Sequence, residues 1–401
     1  MTSPRILTIN GGSSSIRFAL FEAGVTLERG LHGHIDRIGL DGTTLSIEDP
    51  QRDPPASCVP AVATRATVSD FLIDRLETHR ALEGVEAVGH RVVHGMEHAE
   101  PEPVGAALLE ELRRITPYDP EHLPLEIELI EAFRRRHPAL PQVACFDTAF
   151  HRSLPRVARL LPIPRRYEAR GVQRYGFHGL SYAYLLGALE RRGDPAARRG
   201  RVVLAHLGNG ASMAAVRDGR CIDTTMAFTP ASGLPMSTRS GDLDPGLSSH
   251  LARTEGMTAA RFDRMVNHES GLLGVSETSS DVRDLLAREA DDERAADALA
   301  LFCYEAKKQI GSFAAALGGL DTLVFAGGIG ENAPIVRARI CEGLGFLGVE
   351  LDPGRNSGNE ALISAATGRV AVRVIATDEE RMIATSVLRL LHPGPHGRCL
   401  P

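Results

Sequence analysis

Residues 6–22, ILTINGGSSSIRFALFE, carry the clearest structural signal in the chain. Two apolar runs flank a turn made almost wholly of glycine and serine, which predicts two strands joined by a narrow hairpin. Glycine permits positive φ and lets a ligand approach the backbone closely. Consecutive exposed N–H groups then form a concave surface that suits phosphate oxygens. We predict that this turn is one side of a phosphate clamp, although a single turn of this kind is more often a plain connection.

A second stretch repeats the pattern. Residues 201–220, RVVLAHLGNGASMAAVRDGR, resemble residues 5–24, RILTINGGSSSIRFALFEAG. With the following CIDTT the second copy predicts a three-strand meander. A third glycine turn, GGIGEN at 327–332, follows a predicted strand and opens a predicted helix, whose N-terminus favours anions. Three glycine turns at strand ends favour ligand binding, and the repeat suggests two related α/β halves, each opening with a hairpin.

The remaining chain alternates predicted strands and helices. Buried strands are predicted within VEAVGHRVVHG (85–95), PQVACFDTAFH (141–151), DTLVFAGGIGEN (321–332) and the start of VRVIATDEERMIATSVLRLL (372–391), and helices at 68–83, 106–115, 124–136, 257–268 and 289–317. Between the first hairpin and the first helix we expect a polar segment with a turn near Asp41-Gly42 and a loose stretch, EDPQRDPPAS (48–57).

Length and composition exclude several protein classes. A chain of 401 residues with 43% hydrophobic residues suits two domains. A net charge of −6 argues against a general nucleic-acid binder. MTSPRILTINGG lacks a signal-peptide core, and no apolar stretch approaches the roughly 20 residues of a membrane span. The six cysteines contain no CxxC pair, which predicts reduced thiols and a cytoplasmic protein.

Ionisable residues cluster where predicted strands end, the place where α/β sites usually form. They are His90, Arg91 and His94; Asp147 and His151; His178; Arg239, Asp242 and Asp244; Asp281 and Arg283; and Asp378, Glu379 and Glu380. Arg91 and Arg239 lie in glycine-flanked polar turns and can grip carboxylate or phosphoryl oxygens. One or two carboxylates can hold Mg²⁺ bridging phosphates. Asp378 and Glu380 we interpret as ordinary helix N-terminal charges.

These motifs together resemble the acetate kinase family, a branch of the acetate and sugar kinase, Hsp70 and actin superfamily. The matching motifs are NGGSSS, GHRVVHG, FDTAFH, YGFHG, HLGNG, TRSGDLDP, SGLLGVSETSSDVRD, GGIGEN and TDEERMIA. The resemblance implies an α/β fold of two related ribonuclease-H-like domains around an active-site cleft. We place the first domain at 1–148 plus 377–401 and the second, nucleotide-binding domain at 149–376.

The resemblance also implies a function: Mg²⁺-dependent (or Mn²⁺-dependent) transfer of the γ-phosphoryl group of ATP to acetate, giving acetyl phosphate and ADP. It implies these roles: Asn10 and Glu379 for metal; Arg91, Asp147, His178 and Arg239 for catalysis; Arg91, Val93, His122, Phe177 and Pro230 for acetate; and Arg17, His206, Leu207, Gly208, Asn209, Gly210, Asp281, Val282, Arg283, Gly328, Ile329, Gly330, Glu331 and Asn332 for nucleotide. Family members are typically homodimers, and we expect no nucleic-acid or membrane partner.

Physical chemistry refines these roles. Acetate is already ionised at neutral pH, so it needs no general base, and Asp147 is better interpreted as a positioning or metal-associated carboxylate. Neutralising charge on the transferring group is the main demand. We expect ATP to enter from the second domain and acetate to lie in the cleft. Closure of the cleft would exclude water, which would otherwise accept the phosphoryl group.

The sequence departs from the family pattern at several positions. Arg17 replaces a lysine, which keeps the charge but changes its geometry. The segment Pro120-Glu121-His122 puts Glu121 where a pocket leucine is expected, so acyl-chain preference stays open. The family's G-T-S-H is Gly179-Leu180-Ser181-Tyr182 here, and T-P-L-E-G-L is TPASGL at 229–234. A divergent subgroup explains these changes better than loss of activity, because the catalytic set is retained.

Other functions remain open. A propionate or butyrate kinase would differ in pocket volume, which discriminates by only about 1–3 kcal/mol per methylene. A nucleotide-binding regulator of the same superfamily would not need Arg91 and Arg239. A serine hydrolase would use Ser181, but its motif lacks the final glycine. Residues 343–348 fit G-x-G-x-x-G but follow a predicted helix instead of a strand, so we set a dinucleotide site aside.

Overall fold

The computed structural model describes residues 3–12, 15–38, 42–50, 52–58 and 65–393. Ser13 and Ser14 of the predicted clamp, Asp41 of the predicted turn and Cys399 lie outside the described residues. The strands are β1 (Arg5–Gly11), β2 (Ser15–Ala23), β3 (Leu27–Asp36), β4 (Thr44–Asp49), β5 (Arg52–Cys58), β6 (Val85–Val92), β7 (Glu102–Pro103), β8 (Gln142–Phe146), β9 (Arg201–Leu207), β10 (Ala211–Arg217), β11 (Arg220–Thr224), β12 (Thr322–Ala326) and β13 (Ala371–Val374).

The helices of the described residues lie between the strands and after the last strand, and the longest series, at residues 246–317, separates β11 from β12. They are α1 (Arg65–Thr78), α2 (Ala106–Ile115), α3 (Leu123–Arg136), α4 (Arg156–Arg159), α5 (Gly179–Arg191), α6 (Gly246–Glu255), α7 (Ala259–His268), α8 (Gly271–Ser276), α9 (Val282–Arg288), α10 (Glu293–Leu317), α11 (Gly327–Asn332), α12 (Pro334–Cys341), α13 (Pro353–Ser357) and α14 (Glu379–Leu391). Within the described residues, no helix is long and apolar enough to cross a bilayer.

The chain forms two compact units. Unit 1 comprises Met1–Phe150, Gly179–Tyr184 and Asp378–Pro401, and unit 2 comprises His151–His178 and Leu185–Thr377. Unit 1 contains an eight-stranded sheet in the order β5-β4-β3-β2-β1-β6-β8-β7, and unit 2 a five-stranded sheet in the order β11-β10-β9-β12-β13.

The two sheets share one strand arrangement. In unit 1, β1 pairs antiparallel with β2 and parallel with β6, and β6 continues parallel to β8. In unit 2, β9 pairs antiparallel with β10 and parallel with β12, and β12 continues parallel to β13. With β3 antiparallel to β2 and β11 antiparallel to β10, each hairpin predicted from the sequence opens the same five-strand pattern. This confirms the prediction of two related α/β halves.

The prediction of a loose stretch after the first hairpin is wrong. Residues predicted as loose form β4 and β5, which extend the sheet beyond β3. In β3 only Leu27, Leu31 and Ile35 are buried, so its polar side chains hide the usual strand pattern. Pro54 and Pro55 are compatible with β5 because they fall at an irregularity of the β4–β5 register, between the pairs Ile47–Ala56 and Asp49–Arg52, on an edge strand.

Helices cover both faces of the unit 1 sheet. Leu7 and Ile9 of β1 pack in one buried cluster with residues of α1 and α3, while Ile6 packs in a second cluster with Ile383 and Val387 of α14. Successive side chains of a strand point to opposite faces, which explains this division. With both faces buried, polar groups can gather where β1, β6 and β8 end.

Two smaller predictions concern cysteines and a glycine motif. The four cysteines whose side chains are described, at 145, 221, 303 and 341, are free and buried. Burial raises the pKa of Cys145 and of Cys341 to about 12, so these thiols are unreactive at neutral pH. The G-x-G-x-x-G stretch at 343–348 follows helix α12 directly. The strand that a dinucleotide site requires is absent there, as the sequence indicated.

Candidate active site

Arg91 is the central cation of the unit 1 site. It lies near the end of β6, and its Nη2 donates to Asp147 Oδ2 (2.8 Å) while its Nη1 donates to the carbonyl of Gly11 (2.9 Å). Only 11% of its side chain is exposed. Burial lowers its pKa, but the carboxylates of Asp147, Glu126 and Glu379 outweigh burial and hold the pKa of Arg91 above its ordinary value. Arg91 is therefore a fixed positive charge facing the ends of β1 and β8.

Asp147 follows β8 and is fully buried. Besides Arg91, its side chain accepts a hydrogen bond from the backbone N–H of Leu180 at Oδ1 (3.2 Å). Its backbone carbonyl accepts from the N–H of Gly179 (3.0 Å). A Cβ at Gly179 would lie 2.0 Å from that carbonyl oxygen, so only glycine fits. These contacts fix the Asp147 carboxylate against Arg91, as a positioning role requires.

Asn10, Glu379 and Glu380 form a second polar group in unit 1. Asn10 lies near the end of β1, and its Nδ2 donates to Glu379 Oε2 (2.8 Å) and Glu380 Oε1 (3.1 Å). Both glutamates belong to the first turn of α14, which Asp378 caps by accepting from the N–H of Arg381 (2.9 Å). The helix-capping interpretation holds for Asp378.

Glu380 differs from the sequence interpretation. Its side chain is 9% exposed, contacts Asn10 and lies 3.7 Å from Arg29. Burial and the charge of Glu379 raise the pKa of Glu380. A surface charge that serves only the helix dipole would be neither buried against Asn10 nor raised in pKa.

The Asn10 group has the donor chemistry of a magnesium site. Asn10 supplies an amide oxygen and Glu379 a carboxylate, both hard ligands that Mg²⁺ prefers. Among the described residues, no group of three or more His, Cys, Asp or Glu side chains has the arrangement of a metal site. Mg²⁺ in phosphoryl-transfer enzymes uses few protein ligands and takes others from phosphate and water. The pair is therefore compatible with a metal held jointly with a nucleotide.

The residues assigned to the acetate pocket divide between the two units. In unit 1, Val93 is buried just after β6, and buried His122 precedes α3 with its Nδ1 2.8 Å from Asp119 Oδ1. Glu121 beside it is partly buried. In unit 2, Phe177 is buried and Pro230 is partly exposed.

His178 is held in a strained conformation in unit 2. It adopts φ 58°, which is uncommon for a residue with a side chain. Its Nδ1 lies 2.9 Å from Ser212 Oγ on β10, and its ring stacks on His206 with centroids 4.3 Å apart. A Cβ at Gly210 would lie 3.1 Å from His178 Nε2. Backbone strain of this kind persists where surrounding contacts impose it, frequently at functional sites.

Arg239 approaches the same turn. Its Nη1 would lie 3.8 Å from a Cβ at Gly210. The loop that carries it is fixed by hydrogen bonds of Gly233 and Asp242, the N–H of each donating to an oxygen of the other (2.8 and 3.0 Å). The structure thus brings Arg239, His178 and the HLGNG turn together within unit 2.

Two predicted nucleotide turns are also adjacent. The parallel pairing of β9 with β12 sets His206 opposite Ala326, so the HLGNG and GGIGEN turns emerge side by side. A Cβ at Gly208 would lie 3.7 Å from the backbone N of Gly328. Gly327, at φ 76°, packs so closely on Leu207 that a Cβ would lie 2.7 Å from its carbonyl oxygen. Gly327 must therefore be glycine for the two turns to lie this close.

The GGIGEN turn is braced from within unit 2. Glu331 Oε1 accepts from the N–H groups of Gly327 (2.8 Å) and Thr377 (3.1 Å), and Asn332 donates to the carbonyl of Gly328 (3.0 Å). Arg337, fully buried, donates to the carbonyls of Gly330 and Glu331 (2.9 and 3.0 Å). The stretch predicted as a turn is itself the short helix α11, with Ile329 inside it, and these contacts hold it rigidly.

The remaining residues predicted to bind nucleotide are Arg17 and the 281–283 segment, and the contacts described for them are with other parts of the protein. Asp281 caps α9, and the exposed Arg283 pairs with Asp281 at 2.6 Å, while Val282 between them is buried. Arg17 is exposed on β2, opposite Asn10 in the register of unit 1. Its positive charge lowers the pKa of Glu380 and so opposes the effect of burial.

Several functional candidates escaped the sequence analysis. Glu126 of α3 is buried beside Arg91, and Ser212 contacts His178. His151, which the sequence already indicated, is buried with its Nε2 2.9 Å from the carbonyl of Phe177. Arg337 supports the GGIGEN turn. Glu126 lies in the apolar periodicity of α3, where a charged residue is unexpected, and that mismatch was the available signal.

Comparison with known proteins extends these observations. The model of the acetokinase family matches residues 5–385. A protein named acetate kinase from Rhodopseudomonas palustris (strain ATCC BAA-98 / CGA009) is 44% identical, covering 97% of this chain and 99% of its own. A protein named propionate kinase from Citrobacter rodentium (strain ICC168) is 43% identical, covering 97% of each chain.

Solved structures agree with the sequence matches. Porphyromonas gingivalis acetate kinase has a TM-score of 0.87 at 34% identity, covering 97% of this chain and 100% of that one. A propionate kinase from Francisella tularensis subsp. tularensis SCHU S4 has a TM-score of 0.88 at 34% identity, covering 96% and 98%. The motif-based assignment and the predicted fold class are confirmed, and this chain belongs to the acetokinase family.

Proposed function

We propose that this protein is an acetate kinase that reversibly transfers the γ-phosphoryl group of ATP to acetate. A carboxylate oxygen of acetate attacks the γ-phosphorus, the bond from that phosphorus to the ADP oxygen breaks, and acetyl phosphate and ADP leave. The observation that carries the proposal is Arg91, a buried cation fixed by Asp147 and Gly11 in a chain whose curated relatives include acetate kinases. Such a cation suits an anionic acceptor and a charged transition state.

Asp147 acts in this proposal by holding Arg91. Its two carboxylate oxygens accept from Arg91 and from Leu180, and acetate needs no proton removed. His178 and Arg239 contribute donors to the transferring phosphoryl group. Ser212 orients the His178 ring through Nδ1, which leaves Nε2 toward the Gly210 turn.

Asn10 and Glu379 would hold Mg²⁺, or Mn²⁺ in its place. The metal would neutralise phosphate charge while the nucleotide is bound. The HLGNG and GGIGEN turns receive the nucleotide in this proposal, together with Arg17 and the 281–283 segment. The domain boundaries, at 1–148 plus 377–401 and at 149–376, belong to the same proposal, as do a cytoplasmic location and a homodimer.

The test is a hydroxamate-trapping assay for acyl phosphate with ATP and Mg²⁺ on formate, acetate, propionate and butyrate. A strong acetate signal that EDTA abolishes and added Mg²⁺ restores supports the proposal. If ATP binds but no acid gives a signal, the carboxylate kinase proposal fails.

Propionate is the second candidate acceptor. Relatives named propionate kinase match at 43% and 40% identity, close to the 44% of the acetate kinase from R. palustris. Partly buried Glu121 stands where the resemblance expects a pocket leucine, so the acyl-chain preference stays open. A kcat/KM for propionate above that for acetate in the same assay would favour this substrate.

Two other functions have less support. A pure nucleotide-binding protein would have no use for Arg91 buried against Asp147. A serine hydrolase would require an accessible nucleophile, but Ser181 is fully buried in α5.

A further inference from the structure

Glu126 is a buried carboxylate in contact with the proposed carboxylate site. It lies in the first turn of α3 and is 2% exposed. Its Oε2 accepts from the backbone N–H of Val93 (2.9 Å), and its Oε1 lies 3.7 Å from Arg91 Nη1. A Cβ at Gly11 would lie 3.5 Å from its Cγ. One side chain thus reaches β1, the residue after β6 and the central cation.

The two oxygens of Glu126 are used differently. Oε2 satisfies a backbone donor, whereas Oε1 is buried without a hydrogen bond in the structure. A buried oxygen that faces a guanidinium at 3.7 Å is close enough to attract it but too distant to satisfy it. A bound carboxylate would offer Arg91 a better partner, so Oε1 and the substrate would compete for the same charge.

The charges around Glu126 come from several elements. Arg91 approaches from β6, Asp147 from the end of β8, and Asp119 from the segment before α3. Together these surroundings raise the pKa of Glu126 to about 8: burial is the largest cause, Asp119 and Asp147 also raise the pKa, and Arg91 and the N–H of Val93 lower it. Two further charges act one step away: Asp119 opposes the burial that lowers the pKa of His94, and Glu379 helps to raise the pKa of Arg91.

We propose that Glu126 is a positioning residue that sets the carboxylate affinity of this site: Oε2 fixes the Val93 backbone, and Oε1, when ionised, competes with the substrate for Arg91. The inference depends on the proposed function, because it assumes that Arg91 binds the carboxylate substrate. Neutral Glu126 leaves Arg91 to the substrate, and ionised Glu126 weakens substrate binding. Affinity for the acceptor should therefore fall as pH rises through about 8, while affinity for ATP should not follow it.

The experiment measures kcat and KM for acetate and for ATP between about pH 6 and 9.5, the range around this titration, by direct detection of ADP. We expect the wild-type KM for acetate to rise on the order of tenfold across this range. Glu126→Gln keeps an oxygen for Val93 but cannot ionise, so its KM for acetate should stay low and flat. Glu126→Leu, which also removes the acceptor for Val93, should raise KM at every pH.

Glu131→Gln is the matched control. Glu131 lies on the same helix and pairs with Arg113 at the surface, so its variant should follow the wild-type pH profile. A Glu126→Gln profile equal to that of the wild type overturns the inference and leaves the proposed function intact. A flat wild-type KM for acetate also overturns it, even if the variant does not fold. Absence of turnover with every acid at every pH overturns both.

Discussion

The ends of the central strands differ between the two units, although the strand arrangement is the same. At the ends of β1, β6 and β8, unit 1 places charged and polar side chains against one another: Arg91 on Asp147, and Asn10 on Glu379. After β9 and β12, unit 2 places stacked imidazoles and two adjacent glycine turns. One sheet pattern therefore carries two modes of construction: fixed side-chain charge in unit 1 and closely packed glycine backbone in unit 2.

The physical requirements of the two modes explain this division. A buried guanidinium must be compensated by carboxylates and carbonyls, so unit 1 needs a dense network around Arg91. A glycine turn needs only close backbone packing, as between Gly327 and Leu207. The first mode should be sensitive to loss of a charge, and the second to added volume.

Removing the arginines should produce the largest effect. We expect Arg91→Ala and Arg239→Ala each to lower kcat by about 10²-fold or more, as loss of a preorganised oxyanion donor does elsewhere. Steady-state kinetics with acetate and ATP would measure this, with Arg113→Ala on the surface as the control. A loss of only a few-fold would refute the role of that arginine.

Two glycine substitutions distinguish a glycine needed for packing from a glycine needed for ligand access. Gly179→Ala would press a methyl group onto the Asp147 carbonyl, so we expect about 1–3 kcal/mol or more of lost stability together with lower kcat. At Gly328 nothing lies within 4 Å of an added Cβ. Gly328→Ala should therefore keep its stability but raise KM for ATP.

Urea denaturation and ATP kinetics on both glycine variants give the measurement. A Gly328→Ala enzyme with unchanged KM for ATP would show that the GGIGEN turn does not receive the nucleotide. A Gly179→Ala enzyme as stable as the wild type would mean that the Asp147 backbone can shift freely.

Ser212 should have an intermediate effect. Ser212→Ala removes the hydroxyl at Nδ1 of His178, and the net value of one hydrogen bond corresponds to about a tenfold change at most. We expect kcat to fall by up to about tenfold, with KM for ATP nearly unchanged. Ser248→Ala on the exposed helix α6 is the control. An unaltered kcat would argue that Ser212 does not orient His178.

The smallest expected effect concerns stability against pH. Burial raises the pKa of Glu126 from 4.5 to about 8, so the folded protein holds a proton there that the unfolded chain has lost. The stability that this group contributes is thus largest below about pH 4.5 and declines as pH rises toward 8. Glu126→Gln should lack this decline.

Urea denaturation of wild type and Glu126→Gln at several pH values would reveal the difference. The wild type should lose stability relative to the variant by about 1 kcal/mol or more between pH 5 and 8. Parallel curves would mean that Glu126 titrates normally. Glu131→Gln should remain parallel to the wild type throughout.

Local sequence signals predicted both hairpins, the central strands and the arginine motifs. ILTIN and RVVLAHL are continuous apolar runs ending in glycine turns, and both became central strands with the predicted partners. The segment now forming β3, β4 and β5 escaped prediction because its polar and proline residues resemble a loop. Its strands depend on pairing with β2 and with one another, which no local pattern reveals.

The amino-acid sequence alone determined the duplicated α/β pattern, the glycine turns and the family, because these depend on short-range periodicity and on motifs of fixed spacing. Only the tertiary structure decided which charges matter. In the sequence Glu380 looks like an ordinary helical glutamate and Glu126 shows only a mismatch with an apolar helix face, but folding buries Glu126 beside Arg91 and Glu380 beside Asn10. Burial and partners, which arise from residues distant in the chain, control the charge of a carboxylate.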